Sequence, residues 1–505
     1  MYLLQVKVKE LIGRIWAYVE HMRMKRWTKN PRSVQKAVFK ELIRKAKTTQ
    51  FGIDHHFSNI KSYVDFKSNV PIRDYEALRP YLEEVVLGKE NVLWPGKPIY
   101  FCKTSGTTSG TKYIPISKES MPGHIRSARN ALLHYIHETG DASILNGKMI
   151  QLQGSPALER RNGIATGRLS GIVANHVPRY LQKNRLPSYS TNCIEDWDKK
   201  IDAIVDETIN EDLRLIAGIP IWIQGYFEKL KAKSSKAIKD VFPNLKLLVY
   251  GGVNFEPYKN SLFALIGKQI SSVEVYPASE GFIAYQDCQD QKGMLLVLNQ
   301  GMFFEFIPVD EFFSENPTRI NIEDVELNTN YVIILNTNAG LWGYNLGDTV
   351  KFVSLNPHRI VVTGRLKHFT SAFGEHVIAE EVESAMQNAL LTMKFEILEF
   401  TVAPQTNPPE GQLPFHEWFI EFKTMPLDLT KLQSALDFDM QKRNSYYKDL
   451  IEGKILQPLK ITCVQPNGFD DYMKKIGKYG GQNKVPRLSN NREIADQLKD
   501  YGIKN

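Results

Sequence analysis

The sequence predicts a large α/β domain followed by a small α+β domain. Three observations support this prediction. A chain of 505 residues is too long for one compact core. Strand-like and helical runs alternate from about residue 99 to residue 350, as in an α/β sheet. After Gly364-Arg365 the alternation becomes shorter and includes a proline-rich loop at 404–414. The boundary is predicted near Lys367, giving domains of residues 1–366 and 367–505.

The large domain is predicted to begin with helices over residues 1–48, where basic and apolar positions interleave. Its strands are predicted where apolar runs lead into turn residues, as strands do at the carboxyl edge of a sheet. These runs are Lys148–Gln153, Leu245–Tyr250, Val273–Tyr276 and Tyr331–Asn336. Residues 351–353 and 359–363 are typical of antiparallel strands.

The small domain is predicted to alternate helices and strands. Helices are expected at about 379–391, 429–443 and 470–478, and strands at about 395–402, 418–422 and 455–464. That order is typical of an α+β domain.

Composition limits the classes of protein that the chain can belong to. The 42% hydrophobic and 24% charged residues are typical of a soluble globular protein. No run approaches the roughly 18 to 20 apolar residues that span a bilayer, and charge interrupts the first ten residues too early for a secretory leader. Four isolated cysteines, at 102, 193, 288 and 463, fit neither a zinc site nor a disulfide framework. We therefore expect a cytoplasmic protein with no membrane partner.

The net charge of +8 is concentrated near the end of the chain. Residues 441–505 carry 13 Lys and Arg against 7 Asp and Glu, a net +6. No nucleic-acid-binding motif accompanies this charge, so we expect no nucleic-acid partner. A basic module that closes over a polyphosphate and a solvated lysine-rich surface both remain possible explanations.

The segment Lys103-Thr-Ser-Gly-Thr-Thr-Ser-Gly-Thr-Lys112 has the composition of a phosphate-binding loop. Glycines let backbone N–H groups approach a phosphate, hydroxyls donate hydrogen bonds and lysine adds charge. The spacing from Gly106 to Gly110 is one residue too short for a Walker A loop, and Tyr113 follows the lysine. The alternative is a flexible linker, but strand-like runs on both sides disfavour it.

Two further segments follow predicted strands and carry residues suited to nucleotide chemistry. In the run Leu248–Tyr258, a strand leads into Gly251-Gly252. A double glycine of this kind is typical of places where the backbone lies against a flat ring. The run Val275–Phe282 places Glu280 after a strand, where a carboxylate could hold Mg²⁺ beside phosphate oxygens. An ordinary turn is the alternative for the second run.

Three segments later in the chain complete the pattern. Gly343-Tyr-Asn-Leu-Gly-Asp348 ends in a carboxylate that can accept two hydrogen bonds from a vicinal diol. Gly364-Arg-Leu-Lys-His follows it at the predicted domain boundary. Near the end, Gly480-Gly-Gln-Asn-Lys-Val-Pro-Arg487 presents Lys484 in a segment that, taken alone, is typical of an ordinary surface loop.

Together, these segments resemble the adenylate-forming superfamily from about residue 99 to residue 487. Within it they resemble the auxin-responsive Gretchen Hagen family of acyl acid amido synthetases, in its shorter bacterial form. The resemblance implies the adenylate-forming architecture: an α/β large N-terminal domain with an additional β-barrel-like part, plus a small α+β C-terminal domain. Lys367 stands where many adenylating enzymes have aspartate, which fits the amide-forming branch.

The resemblance also implies a role for each motif residue. Lys484 and Glu280 are expected to be catalytic, and Glu280 is expected to meet Mg²⁺. Asp348 is expected to bind the ribose, with Arg365 and Lys367 at a hinge over which the small domain moves. The expected nucleotide-binding residues are Thr104, Ser105, Gly106, Thr107, Thr108, Ser109, Lys112, Gly251, Gly252, Tyr276, Ser279, Asp348, Arg365 and Lys367.

The function implied is an ATP-dependent ligase that uses Mg²⁺. It would convert a small carboxylic acid into an acyl-AMP and then join it to the amine of an amino acid, with no obligate protein partner. The sequence leaves the acid and the amine open. An acyl-CoA ligase and a nucleotide-binding protein without turnover remain alternatives.

Other candidate sites have simpler explanations. Trp222 and Tyr226, at helical spacing, are candidates for an acyl-acid pocket, but such a pair more often belongs to a core. His55-His56 is expected to be a turn rather than a metal site. Ser105 and Ser109 lack the sequence context of a hydrolase nucleophile.

Overall fold

The chain divides into two compact units, which are described separately. The computed structural model describes residues 2–105, 111–177, 182–252, 255–366, 369–370, 372–373, 377–406, 408–409, 412–453, 455–480, 484–489 and 491–503. The first unit comprises Met1–Leu346 and Lys351–Val361, and the second comprises Gly347–Val350 and Val362–Asn505. The boundary predicted at Lys367 lies outside the described residues, and the sequence did not indicate that a short stretch of β-strand, Gly347–Val350, belongs with the second unit.

The predicted opening helices are confirmed, and α5 matters most for the site. Asp74 precedes α5 and accepts a hydrogen bond from the Ala77 backbone N–H at 2.9 Å, which caps the helix and places Tyr75 at its first position. The described helices of the first unit are α1 (Tyr2–Thr28), α2 (Pro31–Ala46), α3 (Gln50–Asp54), α4 (Tyr63–Asn69), α5 (Tyr75–Val86), α6 (Met121–Thr139), α7 (Leu169–Ala174), α8 (Tyr189–Asn192), α9 (Trp197–Thr208), α10 (Pro220–Ser234), α11 (Ile238–Val241) and α12 (Glu256–Ile266).

The strands are short and mostly buried. Their bounds are β1 (Tyr100–Ser105), β2 (Thr111–Ile116), β3 (Lys148–Gln151), β4 (Glu159–Arg161), β5 (Ile164–Gly167), β6 (Arg185–Leu186), β7 (Leu213–Gly218), β8 (Leu247–Tyr250), β9 (Ser271–Ala278), β10 (Gly281–Tyr285), β11 (Met294–Leu296), β12 (Met302–Pro308), β13 (Ile320–Asn321), β14 (Asn330–Thr337), β15 (Tyr344–Leu355) and β16 (His358–Arg365). The runs predicted as strands from the sequence are confirmed within a few residues, except that residues 351–353 belong to the longer strand β15.

Two sheets organise these strands. Within the described residues, a twelve-stranded sheet has the order β13-β12-β14-β15-β16-β11-β10-β9-β8-β7-β3-β6. Strands β6, β3, β7, β8 and β9 run parallel, and β10 continues the sheet antiparallel to β9. A second sheet has the order β2-β1-β5-β4. The antiparallel strands expected in a β-barrel-like part therefore lie in the same sheet as the parallel strands.

The second unit contains a three-stranded and a two-stranded sheet, with helices and two hydrophobic clusters. Its strands are β17 (Phe369–Thr370), β18 (Val377–Ile378), β19 (Glu396–Gln405), β20 (Phe415–Thr424) and β21 (Lys460–Val464), and its helices are α13 (Ala379–Thr392), α14 (Leu429–Arg443), α15 (Ser445–Glu452), α16 (Gly468–Lys475) and α17 (Glu493–Leu498). The predicted α+β order is confirmed, and α15, α17 and the short strands β17 and β18 are additions that the sequence did not predict. Among the described residues, no helix is both long and apolar enough to cross a membrane.

Candidate active site

The predicted phosphate-binding segment connects two antiparallel strands. Thr104 and Ser105 end β1, and Lys112 lies opposite Thr104 on β2. The Lys112 ammonium is 5.2 Å from the centre of the Tyr75 ring, a distance typical of a cation–π contact. The Tyr75 hydroxyl accepts a hydrogen bond from the Tyr113 backbone N–H at 2.9 Å, so α5 is fixed against β2. Four predicted residues of this segment lie outside the described residues: Gly106, Thr107, Thr108 and Ser109.

The Ser-Glu pair occupies the turn between β9 and β10. Ala278 and Gly281 pair across this turn, which leaves Ser279 and Glu280 at its tip. The Ser279 hydroxyl lies 3.0 Å from the Cys102 thiol on β1. Burial raises the pKa of Cys102 to about 12, and the nearby Glu280 charge acts in the same direction. The turn therefore lies beside the strand that leads into the phosphate-binding segment.

Tyr344 brings a third motif to the same place. Its side chain is buried, and its backbone forms a parallel bridge with Arg73, directly before α5. Burial raises the pKa of Tyr344 well above its usual value, and the negative charge of Glu280, together with a hydrogen bond between the two side chains, raises it further. The phenol consequently stays protonated and can donate to the Glu280 carboxylate. Three segments far apart in sequence thus converge on Glu280.

The double glycine has a steric cause in the structure. A methyl group added at Gly251 would lie 2.2 Å from the Val275 carbonyl oxygen, which is closer than any side chain tolerates. Gly252 has φ of +81°, in the left-handed region that favours glycine. Tyr276, which follows Val275 on β9, is buried. The loop after β8 thus lies so close to the backbone of β9 that position 251 requires glycine. This requirement holds whether or not the loop also binds a ligand.

Asp348 belongs to the second unit. It is 5% exposed and follows Gly347, whose φ of +85° is left-handed. Its neighbour Thr349 exchanges a hydrogen bond of 2.8 Å with Thr363, which ties this part of β15 to β16. Arg365 ends β16, and Lys367 lies outside the described residues.

Lys484 is exposed, but the segment that follows it is fixed to the second unit. The Val402 backbone N–H donates to the Arg487 carbonyl at 3.0 Å, and the Ser489 N–H donates to the Val402 carbonyl at 2.9 Å. The Thr401 hydroxyl adds a hydrogen bond of 2.6 Å to the carbonyl of the residue before Arg487. The closing motif therefore extends along the edge of β19.

Arg487 provides the side-chain anchor of this motif. Its guanidinium forms ion pairs with Glu399 and with Glu383, the second at 3.4 Å, and lies 4.7 Å from the centre of the Phe400 ring. The Arg487 side chain is only 12% exposed. The arginine of the motif thus has a structural role, and it fixes the backbone from which Lys484 extends.

Trp222 and Tyr226 lie on α10 inside a hydrophobic core of the first unit. Trp222 packs against Trp197 with ring centres 4.8 Å apart. Tyr226 is fully buried, and its hydroxyl is hydrogen-bonded to Thr208 at 2.7 Å. This packing favours the core alternative, and the acyl-pocket assignment stays a prediction. His55 also has a structural partner, since its ring Nδ1 atom is hydrogen-bonded to the Asn69 carbonyl at 2.7 Å.

The sequence did not reveal three of the groups that the structure brings to this region. Tyr75 lies outside every motif, so no local signal could have identified it. Cys102 precedes the phosphate-binding segment and looked like an ordinary buried residue. Tyr344 lies inside a recognised motif, but the functional role of that motif was assigned to Asp348.

The residues at the turn fit a magnesium ion bound together with a substrate. Mg²⁺ usually takes one or two carboxylates and completes its shell with phosphate oxygens and water. Glu280 supplies one carboxylate beside the predicted phosphate-binding segment. Within the described part of the chain, no group of three or more His, Cys, Asp or Glu side chains could form an all-protein metal site. The donor set therefore suits an ion that arrives with its nucleotide.

Comparison with known proteins identifies the family. Family models match at residues 20–184 (GH3 family N-terminal domain), 295–365 (GH3 family central domain) and 380–493 (GH3 family C-terminal domain). Together they cover more than half of the chain. This chain belongs to the GH3 family. The family predicted from the motifs is confirmed.

Relatives and solved structures agree with this placement. The chain is 22% identical to indole-3-acetic acid-amido synthetase GH3.15 of Arabidopsis thaliana, over 94% of this chain and 93% of that protein. It is 22% identical to jasmonoyl–L-amino acid synthetase JAR4 of Nicotiana attenuata, over 64% and 67%. A solved GH3.15 acyl acid amido synthetase superposes with a TM-score of 0.79 at 15% identity, covering 95% of each chain. A 2-hydroxyisobutyryl-CoA ligase superposes with a TM-score of 0.57 at 12% identity, covering 92% of each chain. The predicted fold class is therefore confirmed.

Proposed function

We propose that this GH3-family chain uses ATP to activate a small carboxylic acid and then joins the acid to an amino acid. The chain is an acid–amino acid ligase, an activity that the named GH3 relatives share. The observation that supports the detailed proposal most strongly is the convergence of the β1–β2 segment, the Ser279–Glu280 turn and Tyr344 in the first unit. Hydroxyl donors, a cation and a carboxylate together suit a polyphosphate with its metal ion.

The first step forms an acyl-adenylate. A carboxylate oxygen of the acid bonds to the α-phosphorus of ATP, and the bond from that phosphorus to the bridging oxygen breaks. Pyrophosphate leaves with the electron pair. Lys112 and the hydroxyls of the phosphate-binding segment bind the phosphates, and Lys484 stabilises the charge that develops in the transition state. Mg²⁺, when bound at Glu280, supplies positive charge beside the phosphate oxygens.

Tyr344 orients the Glu280 carboxylate. A carboxylate that shares its turn with Ser279 could rotate among several positions. The buried phenol restricts it by donating a hydrogen bond, and β15 and the strand bridge to Arg73 hold the phenol in place. We therefore assign Tyr344 as a positioning residue.

The second step forms the amide. The amine nitrogen of the amino acid bonds to the acyl carbon, the bond from that carbon to the AMP oxygen breaks, and the nitrogen loses a proton. In this proposal Asp348 binds the ribose hydroxyls, and Gly251, Gly252 and Tyr276 border the adenine. Movement of the small domain about Arg365 and Lys367 separates the two steps and excludes water from the adenylate.

We also propose that the enzyme works in the cytoplasm. The four cysteines are free thiols, which is the state that a reducing compartment maintains. ATP and amino acids are both available there.

A product assay tests the proposal. The enzyme would be incubated with ATP, Mg²⁺, a panel of carboxylic acids and a mixture of amino acids, and the products identified by mass spectrometry. An amide together with AMP and pyrophosphate is the expected result. Coenzyme A in place of the amino acids tests the acyl-CoA ligase alternative, for which a thioester would be the product. No pyrophosphate with any acid, from a protein that binds AMP, would favour a regulatory nucleotide-binding protein.

A further inference from the structure

Helix α1 presents two different faces. One face packs against the body of the first unit, chiefly against α6. The other face is exposed along most of the helix. A helix on the surface of a globular protein ordinarily buries its apolar side and exposes its polar side. In α1 a row of large apolar side chains from Val8 to Met22 is instead on the exposed side.

The inner face of α1 is narrow and closely packed. Gly13 approaches Leu145 so closely that an added methyl group would lie 2.5 Å from its Cδ1 atom. Ala17 is fully buried and Met24 nearly so. Glu20, also buried, pairs with Arg23 at 2.5 Å and with Arg129 on α6 at 3.7 Å. These contacts fix the orientation of the helix and therefore determine which of its side chains face outward.

The outer face is a stripe of large apolar side chains. Each is more than a third exposed, and at about 100° per residue they all fall within an arc of roughly 120°, on one side of the helix. They are Val8 (47%), Leu11 (58%), Ile12 (58%), Ile15 (56%), Tyr18 (57%), Val19 (39%) and Met22 (38%). Scattered exposed apolar residues are common on proteins, but a continuous patch of this kind marks an interaction site.

Four of the basic residues of α1 flank this stripe, Arg26 lies in line with it beyond Met22, and the Lys9 ammonium donates to the Leu145 carbonyl. The helix carries six basic and two acidic residues, a net +4. At about 100° per residue, Lys7, Arg14 and Lys25 follow one edge of the stripe and Arg23 follows the other. Both carboxylates are engaged within the protein: Glu20 is buried, as above, and Glu10 accepts a hydrogen bond from Asn146 at 2.5 Å and lies 3.8 Å from the Arg14 guanidinium.

We propose that the outer face of α1 binds the surface of an anionic lipid membrane. Apolar side chains between rows of basic residues match the boundary between acyl chains and anionic headgroups. The cytoplasmic leaflet has such headgroups, and a nearby Lys or Arg is attracted to it. The helix is not apolar enough to cross a bilayer, so it would lie on the surface. A second copy of the chain suits this face less well, because two helices of net +4 would meet without a carboxylate between them.

This inference differs from the expectation of no membrane partner. Composition and hydropathy showed that no segment could span a membrane. The exposed side of a packed helix depends on tertiary contacts, which those properties do not report.

Co-sedimentation with vesicles tests the proposal on the full-length protein. The vesicles are phosphatidylcholine, either pure or with about one-third phosphatidylglycerol. We expect binding to the anionic vesicles only, and weaker binding as salt rises from about 0.05 to 0.5 M. Changing Leu11→Glu together with Ile15→Glu should abolish detectable binding. Changing Lys7→Gln, Arg14→Gln and Lys25→Gln together should weaken it about 100-fold, from the usual contribution of each basic residue near such a surface.

A matched control places the same two charges elsewhere. Ile53 on α3 and Val64 on α4 are 63% and 66% exposed, and the double variant Ile53→Glu, Val64→Glu should bind like the wild type. Amide synthesis from water-soluble substrates should be equal in all variants. If the glutamate variant of α1 proves unfolded by circular dichroism, the glutamine variant decides the test.

Three results would overturn the proposal. The first is wild-type protein that does not sediment with anionic vesicles, and the second is equal loss of binding in the control. The third is a wild-type dimer in light scattering that the α1 glutamate variant converts to a monomer, because this face would then bind a second copy of the chain.

Discussion

Replacing Lys484 with alanine separates two roles that a lysine in the closing motif could have. If it stabilises charge only during adenylation, its loss slows acyl-AMP formation and spares the second step. If it supports the fold, both steps and the stability decline together. The structure supports the first role, because Lys484 is exposed while Arg487 anchors the motif.

The expected magnitudes follow from these contacts. An exposed lysine outside the core changes the free energy of unfolding by less than about 0.5 kcal/mol when truncated. Removing one donor that acts on transition-state charge typically slows a reaction by about 10²- to 10³-fold. Arg487→Ala gives the contrast. Its guanidinium is largely buried beside Glu399 and Glu383, and breaking a buried ion pair costs about 3 to 5 kcal/mol.

The two half-reactions must be measured separately. Quenched-flow measurement of pyrophosphate or acyl-AMP reports adenylation, and amide formation from supplied acyl-AMP reports the second step. AMP affinity from calorimetry should be unchanged in the Lys484→Ala variant. Lys478→Ala, an exposed lysine six residues earlier, is the control and should match the wild type throughout. Equal losses in both half-reactions of the Lys484 variant would refute the reasoning, and so would a large fall in its melting temperature.

Three further predictions concern the nucleotide site. Asp348→Ala should weaken AMP binding by about 1.5 to 3 kcal/mol in calorimetry, the usual loss for a charged hydrogen bond; unchanged affinity would remove Asp348 from the ribose site. Gly106→Val should slow adenylation more than Thr107→Val at saturating ATP and acid, because a valine blocks backbone approach to phosphate, and near-wild-type rates in both variants would mean that the segment is a linker. Tyr344→Phe should raise the Mg²⁺ concentration for half-maximal adenylation severalfold by freeing the Glu280 carboxylate, with the fold intact by circular dichroism; an unchanged Mg²⁺ dependence would mean that the phenol does not position Glu280.

Much of the fold was predictable because its determinants are local. The helix Leu429–Arg443 was predicted with its observed bounds, since apolar periodicity and Asp428 at the N-cap both lie within the segment. The motif glycines were recognisable for a similar reason. Gly252 and Gly347 have positive φ. This backbone conformation favours glycine at a single position, so the residue type alone indicates it.

Long-range contacts could not be predicted in this way. Cys102 meets Ser279 across 177 residues, and the partners of Arg487 on α13 and β19 lie about a hundred residues before it. No local pattern encodes such pairs, because they depend on which strands become neighbours in a sheet. The family resemblance ordered the motifs along the chain, and the tertiary structure determined which side chains surround Glu280.

The first helix shows the same division. Its sequence determined a helix with recurring apolar residues, a pattern that ordinarily indicates a face turned toward the core. The structure instead turns Gly13 and Ala17 inward and leaves Leu11 and Ile15 exposed. The small residue Gly13 permits a close approach to Leu145, after α6, so packing rather than hydropathy selected the buried face. The sequence determined that α1 forms, and only the tertiary structure decided which side of it meets the solvent.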